Sequence, residues 1–154
     1  LRQPRLTELM LELREASGCL YFERRTEGEQ LKAAMKTPRI VLGLLADQNA
    51  GDHGLWLPVF GRETSVSPAP AVFAQRYKCR LFPSACFRTA PGRWRIELGE
   101  EIPTRTEGKR RSTQAITQDI IAAQEETIRC DPANWFWVHN RWKPRQKPIK
   151  LKTN

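Results

Sequence analysis

The chain has 154 residues, 26 Lys and Arg against 17 Asp and Glu, and a formal net charge of +9. That length suits one domain with a real core. No apolar run approaches the roughly 18 to 20 residues that a spanning helix needs, so this stretch of chain is not expected to cross a bilayer. Six of the nine excess charges lie in 141–154, where Arg141, Lys143, Arg145, Lys147, Lys150 and Lys152 stand without an acidic residue. We read 1–145 as the domain and 146–154 as a basic tail, which either seeks an anionic surface (phospholipid headgroups, phosphorylated glycolipid or nucleic acid) or is merely solvated. The chain opens on Leu1 and not on Met, and no signal peptide heads it; the expectation is that an amino-terminal part has been removed.

In chain order, Pro4 suits a first helical turn, and Leu6, Leu9, Met10 and Leu13 recur on one face against Glu8, Glu12, Arg14 and Glu15. This is an amphipathic helix ending near Gly18, its apolar face expected in the core. Residues 19–22 read as a brief strand closing on Glu23, Arg24 and Arg25, where the two cations either hold a phosphate or pair with Glu23 and Glu27 on a solvated turn. Residues 27–36 form a short helix with Leu31, Ala34 and Met35 inward, stopped by Pro38.

Residues 40–46 are short, rich in Leu and β-branched types and free of charge, as in a strand buried on both faces of a mostly parallel sheet. Asp47 and Gln48 then stand at its carboxyl end, the edge where open α/β sheets bind ligands. Asn49, Gly51 and Gly54 make the next segment a turn-former. From this stretch alone, Asp47 serves a site or caps the loop with equal ease. Residues 55–60, interrupted by Pro58, read as an irregular apolar segment that either walls a pocket or, ahead of that, packs Trp56 and Phe60 inward.

Ser67 is a fitting N-cap with Pro68 at the first helical position, opening a helix through Val72, Phe73 and Tyr77. Residues 79–87 and 94–98 form a hairpin about Ala90, Pro91 and Gly92, so the sheet is mixed. An exposed polar loop over 104–111 leads to a long helix over 113–129 with Ile116, Ile120, Ile121, Ala123 and Ile128 inward. The alternation of helix and strand predicts an α/β fold with a mixed, mostly parallel sheet flanked by helices. Cys19, Cys79, Cys86 and Cys130 show neither C-x-x-C spacing nor a His partner at ligand distance, which argues against a metal and for reduced, packed thiols.

The chain closes on PANWFWVHNRWKPR (132–145), crowding three tryptophans, a Phe, a His and basic residues into one span. Those aromatics anchor at a lipid interface or pack the last helix, at least one of Trp135, Phe136 and Trp137 doing the latter. A lone His139 beside packed aromatics points to a hydrogen-bonded structural residue ahead of a ligand or base.

The succession LLADQNAG, then LWLPVFGRETSVSPAPAVFA, then Phe82 and Pro83, then PANWFWVHNRWKPR resembles the carboxyl-terminal half of the bacterial lipid A biosynthesis acyltransferase family. The closing motif is the most specific part, through Pro132, Asn134, Trp135, Trp137, His139, Arg141, Trp142 and Lys143; Asn140 departs from the Arg usual there. The resemblance implies a glycerol-phosphate and lysophospholipid acyltransferase-like fold. It implies Asp47 and Gln48 as active-site neighbours, Arg24 or Arg25 as a substrate-binding arginine, and Arg141 and Lys143 on phosphate.

The reaction implied is transfer of a fatty acyl group from acyl carrier protein or coenzyme A to a hydroxyl of a lipid A precursor, at the cytoplasmic face of the inner membrane. It requires no metal or resident cofactor. The expected partners are acyl carrier protein, the phosphorylated glycolipid acceptor and an anionic membrane surface. The family's catalytic signature pairs a His with a closely following Asp or Glu, and neither His53 nor His139 is followed so. No catalytic residue is therefore assigned in this chain, which is expected to be inactive alone. The alternatives are acylation of another membrane glycolipid, such as a phosphatidylinositol mannoside, or a basic module that binds nucleic acid without catalysis. The last is set aside because it explains neither the Asp47 loop nor the closing motif.

Overall fold

The computed structural model of the chain describes residues 3–22 and 26–145. Two compact units divide it, within Leu1–Leu42 and Gly43–Asn154. The first holds helix α1 (Pro4–Glu15), with Pro at its amino end, and helix α2 (Gly28–Ala34). Gly18, at φ +71°, turns the chain just past α1, as a glycine can without strain. Leu31, Ala34 and Met35 are the sheltered side of α2, as their spacing predicts. Leu6, Leu9, Met10 and Leu13 on α1 are exposed instead of forming core, because two short helices have too little apolar surface to bury one another.

In the second unit, β1 (Leu55–Val59) and β2 (Arg62–Val66) form an antiparallel hairpin with Val59 opposite Arg62. Its two-residue turn, Phe60 and Gly61, has positive φ at both positions (50° and 74°), the geometry that matches strand twist in tight hairpins. Residues 55–59 are therefore a regular strand with Phe60 in the turn, where an irregular segment was expected. Pro58 is tolerated because it pairs with Glu63 one step from the closing pair, where the residue needs no ladder donor.

Helix α3 (Ala69–Tyr77) begins where Ser67 Oγ accepts the Ala69 N–H at 3.3 Å, and Lys78 ends it in the left-handed region. Strands β3 (Ser84–Ala90) and β4 (Arg93–Leu98) form the expected hairpin, and β5 (Arg105–Thr106) and β6 (Lys109–Arg110) add a small one within the polar loop.

Helix α4 (Thr113–Cys130) is capped by Ser112 Oγ, which accepts the Ala115 N–H at 3.1 Å. It separates two apolar clusters. Ile121 packs with Leu57, Val59 and Val66, and with half-buried Leu55, Phe60 and Trp142. Ile116 and Ile120 pack with Ala71, Ile102 and Leu81. Glu125 fixes the hairpin turn to this helix: its Oε1 accepts the Phe60 N–H at 2.6 Å while its Oε2 takes Arg129 at 2.8 Å.

The architecture combines helices with small antiparallel sheets, an α/β fold in the broad sense. All strand pairing among the described residues is antiparallel, in three two-stranded sheets, where a mostly parallel sheet was expected. Residues 19–22 and 40–46 make no ladder. A parallel strand exists only through a neighbour, and none flanks either segment among the described residues. Val41 and Leu45 are accordingly 92% and 90% exposed. The expectation of packed thiols also fails: Cys19, Cys86 and Cys130 are exposed and Cys79 is half-buried, all free. No helix among the described residues is long and apolar enough to cross a membrane.

Candidate active-site loop and its clamp

The loop after residue 46 is built around Asn49, which uses nearly all its hydrogen-bonding capacity. Its Nδ2 donates to the Arg141 carbonyl at 2.9 Å and to Thr64 Oγ1 at 3.2 Å. Its Oδ1 accepts the Gly51 N–H at 2.9 Å, closing the turn. Its own backbone N–H donates to His139 Nε2 at 2.9 Å. A nitrogen that accepts carries no proton, so the neutral ring of His139 is protonated on Nδ1. The same bond occupies the lone pair that a general base would use.

Asp47 is held from the same segment: Trp135 Nε1 donates to its Oδ2 at 3.1 Å. Trp135 is itself braced edge-on by Trp137, with ring centroids 4.5 Å apart, and by Trp142 at 6.2 Å. Trp142 Nε1 in turn donates to the Val59 carbonyl at 3.2 Å. The closing motif thus grips the Asp47 loop through an indole and an imidazole while anchoring to β1. Gln48, between the two gripped residues, is exposed.

Arg141 lies deeper than a surface phosphate ligand: it is 1% exposed. Nη1 donates to the Ser65 carbonyl at 2.6 Å and to Thr64 Oγ1 at 3.3 Å, while Thr64 Oγ1 donates back to the Arg141 carbonyl at 2.5 Å. Nη2 is buried and has no partner among the described residues. Burial lowers the Arg141 pKa from its ordinary value, and the Asp47 carboxylate offsets part of that fall. The guanidinium remains charged, and its main contacts tie β2 to the closing motif.

The loop also demands Gly54. A Cβ there would meet Ser65 Oγ, Val66 O at 2.7 Å and Ala50 Cβ at 2.8 Å. Ser65, fully buried, donates from Oγ to the Gly51 carbonyl, so β2 and the loop touch without room for a side chain.

Lys143 is exposed and borders a shallow open groove of about 200 Å³ with Asn49, Gly51, Asp52, Trp56 and Pro144. Arg145 stacks over the Trp56 ring, 4.4 Å from its centroid. The structure therefore brings together Asp47, Gln48, Arg141 and Lys143. Arg24, Arg25 and the basic tail (146–154) lie outside the described residues. Neither His53 nor His139 bonds a carboxylate among the described residues, so no His and acid pair is assembled there.

Sequence reasoning singled out Asp47 and Gln48, read Asn49 only as a turn residue, which its bond from the Gly51 N–H bears out, and missed Thr64 and Ser65, which with Asn49 fix the loop. The signal for Thr64 and Ser65 was a polar pair in the strand-like RETSV, set directly before an apolar residue. Asn134 was quoted only as part of a motif, yet it caps the free edge of β3: its Nδ2 donates to the Cys86 carbonyl at 2.6 Å, and its Oδ1 accepts the Arg88 N–H at 3.3 Å.

A search of curated proteins finds no match to the chain. The family model described as bacterial lipid A biosynthesis acyltransferase matches residues 1–144. That span contains both the Asp47 loop and the motif that clamps it, and the chain belongs to the bacterial lipid A biosynthesis acyltransferase family.

Proposed function

We propose that the chain forms the acceptor-side wall of an active site that moves a fatty acyl group from an acyl carrier protein or coenzyme A thioester to a hydroxyl of a lipid A precursor. The observation that supports this most is the clamped loop, with Asp47 and Asn49 fixed by the closing motif and Gln48 and Lys143 left outward. A rigid loop with an outward amide and an ammonium can orient a phosphorylated sugar, because positioning the acceptor hydroxyl removes orientational entropy from the barrier. Lys143, and Arg24 or Arg25, are the cations for its phosphates.

The reaction joins the acceptor oxygen to the thioester carbonyl carbon and expels the thiolate, while a base takes the hydroxyl proton. His139 is not that base, since its Nε2 already accepts the Asn49 N–H. In this reading the chain supplies binding and positioning, and a His and acid pair supplied from elsewhere acts as base. The glycerol-phosphate acyltransferase-like arrangement, with 40–46 as a strand of a larger sheet, belongs to the same reading, as does work at the cytoplasmic face of the inner membrane.

The test incubates acyl carrier protein thioester and lipid A precursor with the chain alone and with a chimera placing a family member's His and acid segment before Leu1. Mass spectrometry then follows acylated product. The expected result is product from the chimera only. Robust turnover by the chain alone would make His53 or His139 the base and overturn the division of labour. A chimera that acylates a different glycolipid and not lipid A precursor would overturn the acceptor.

A further inference from the structure

We propose that the β3–β4 hairpin docks on an anionic phospholipid surface through the face that carries Trp94, Ile96 and Leu98. This goes beyond the acyl-transfer reading and does not depend on which group is acylated. The three residues alternate along β4, so they project to one side of the ribbon, and they are 61%, 72% and 69% exposed. The register sets them opposite Arg88, Cys86 and Ser84. Three large apolar side chains in one row, rimmed by polar groups, mark an interaction surface and not scattered surface residues.

Charge selects the occupant. Between 80 and 98 the chain carries Arg80, Arg88, Arg93 and Arg95 against Glu97 alone. Arg95 pairs with Glu97 at 2.6 Å and Arg80 with Glu101 at 2.7 Å. The side chains of Arg88 and Arg93 have no ion pair or hydrogen bond among the described residues. Arg88 stands across the ladder from Trp94 on the apolar face, and Arg93 lies beside Trp94 at the turn, its side chain starting from the opposite face. A Trp with two aliphatic residues and uncompensated guanidiniums at its turn end matches a bilayer interface, where indole sits at headgroup depth and Arg reaches phosphate.

A second copy of the chain fits poorly, because an isologous contact would oppose the same cations. Nucleic acid would give Ile96 and Leu98 nothing apolar to cover them. The hairpin is also held in shape: Asn134 caps the free edge of β3, and the Gly99 N–H donates to the Pro83 carbonyl at 2.9 Å to close its base.

The test is cosedimentation of the full chain with phosphatidylcholine vesicles and with vesicles that also contain phosphatidylglycerol. The wild type is compared with the Trp94→Ser/Ile96→Ser/Leu98→Ser variant and with Arg88→Gln/Arg93→Gln. The wild type should prefer the anionic vesicles. The apolar variant should lose about tenfold or more in partition with its thermal midpoint unchanged, since surface positions carry little stability. The Arg variant should lose most of the preference for anionic lipid. Bromines on the acyl chains should quench wild-type tryptophan fluorescence, and Trp94→Phe should remove that quenching, a readout that does not rest on the triple variant folding.

Equal partition of the apolar variant, or quenching untouched by Trp94→Phe, would overturn the proposal and leave attachment to other parts of the chain. Loss of self-association in the apolar variant with vesicle binding intact would make the face a contact between copies and overturn it equally. Either failure would leave the acyl-transfer assay unaffected, so the two readings are tested apart.

Discussion

Replacing Asn49 by Asp changes one atom type and no shape, and so tests the clamp where it is most specific. The amide Nδ2 faces two acceptors, the Arg141 carbonyl at 2.9 Å and Thr64 Oγ1 at 3.2 Å. Asn49→Ala removes those two bonds and the Gly51 N–H contact. Gly51 is exposed and recovers a water, while Thr64 Oγ1 and the Arg141 carbonyl keep the bond between them. With net values of about 1 kcal/mol per bond, the loss is about 2 kcal/mol. Asn49→Asp loses the same donors and adds a carboxylate oxygen against a carbonyl, which raises the cost to about 3 kcal/mol or more.

At roughly 3 to 4 °C per kcal/mol for a chain of this size, the thermal midpoint should fall by about 6 to 8 °C for Ala and by about 9 to 12 °C for Asp. Thermal unfolding followed by circular dichroism at neutral pH measures both. A cycle with Thr64→Val should show coupling of about 1 kcal/mol between positions 49 and 64. An Asp variant as stable as the Ala variant, or strict additivity in the cycle, would mean that the amide does not donate into this site, and the account of the loop would fall.

Gly54→Ala should cost about 2 kcal/mol or more in thermal or denaturant unfolding, because the new methyl meets the Val66 carbonyl and Ala50 at contact distances that backbone alone must relieve; a neutral variant would show that β2 and the loop are not packed this closely. Asp47→Ala in a catalytically competent chimera should abolish most acyl transfer while costing only about 1 kcal/mol in stability, and full activity would reduce Asp47 to a loop cap. Trp135→Phe keeps the ring contacts but drops the N–H that holds Asp47 at 3.1 Å. It should cost about 1 to 2 kcal/mol and lower turnover in the same chimera, and unchanged values in both would break the link from closing motif to loop. Removing 146–154, with Lys147, Lys150 and Lys152, should weaken binding to anionic vesicles by up to about 3 kcal/mol at low salt, and equal binding would show the tail is merely solvated.

Local features were legible in the residues because their causes are local. Pro4 and Gly18 bracket α1, the Ile spacing set α4, and Pro91 with Gly92 turned the β3–β4 hairpin. Asp47 and Gln48 stood out because an apolar run ended at an acid and an amide. The hairpin at Phe60 and Gly61 was harder to see, since Pro58 breaks the strand pattern and is harmless only once the register sets its nitrogen away from the ladder.

Pairing and burial are different, because they depend on partners far along the chain. Residues 40–46 have strand composition, yet a strand is a relation to a neighbour and composition does not supply one. Arg141 has the chemistry of a phosphate ligand, but contacts 76 and 77 positions away turn it inward to Ser65 and Thr64. His139 shows the same division: the sequence placed a single imidazole among aromatics, and only the tertiary fold brought the Asn49 N–H, 90 positions away, onto Nε2 and so fixed which nitrogen bears the proton.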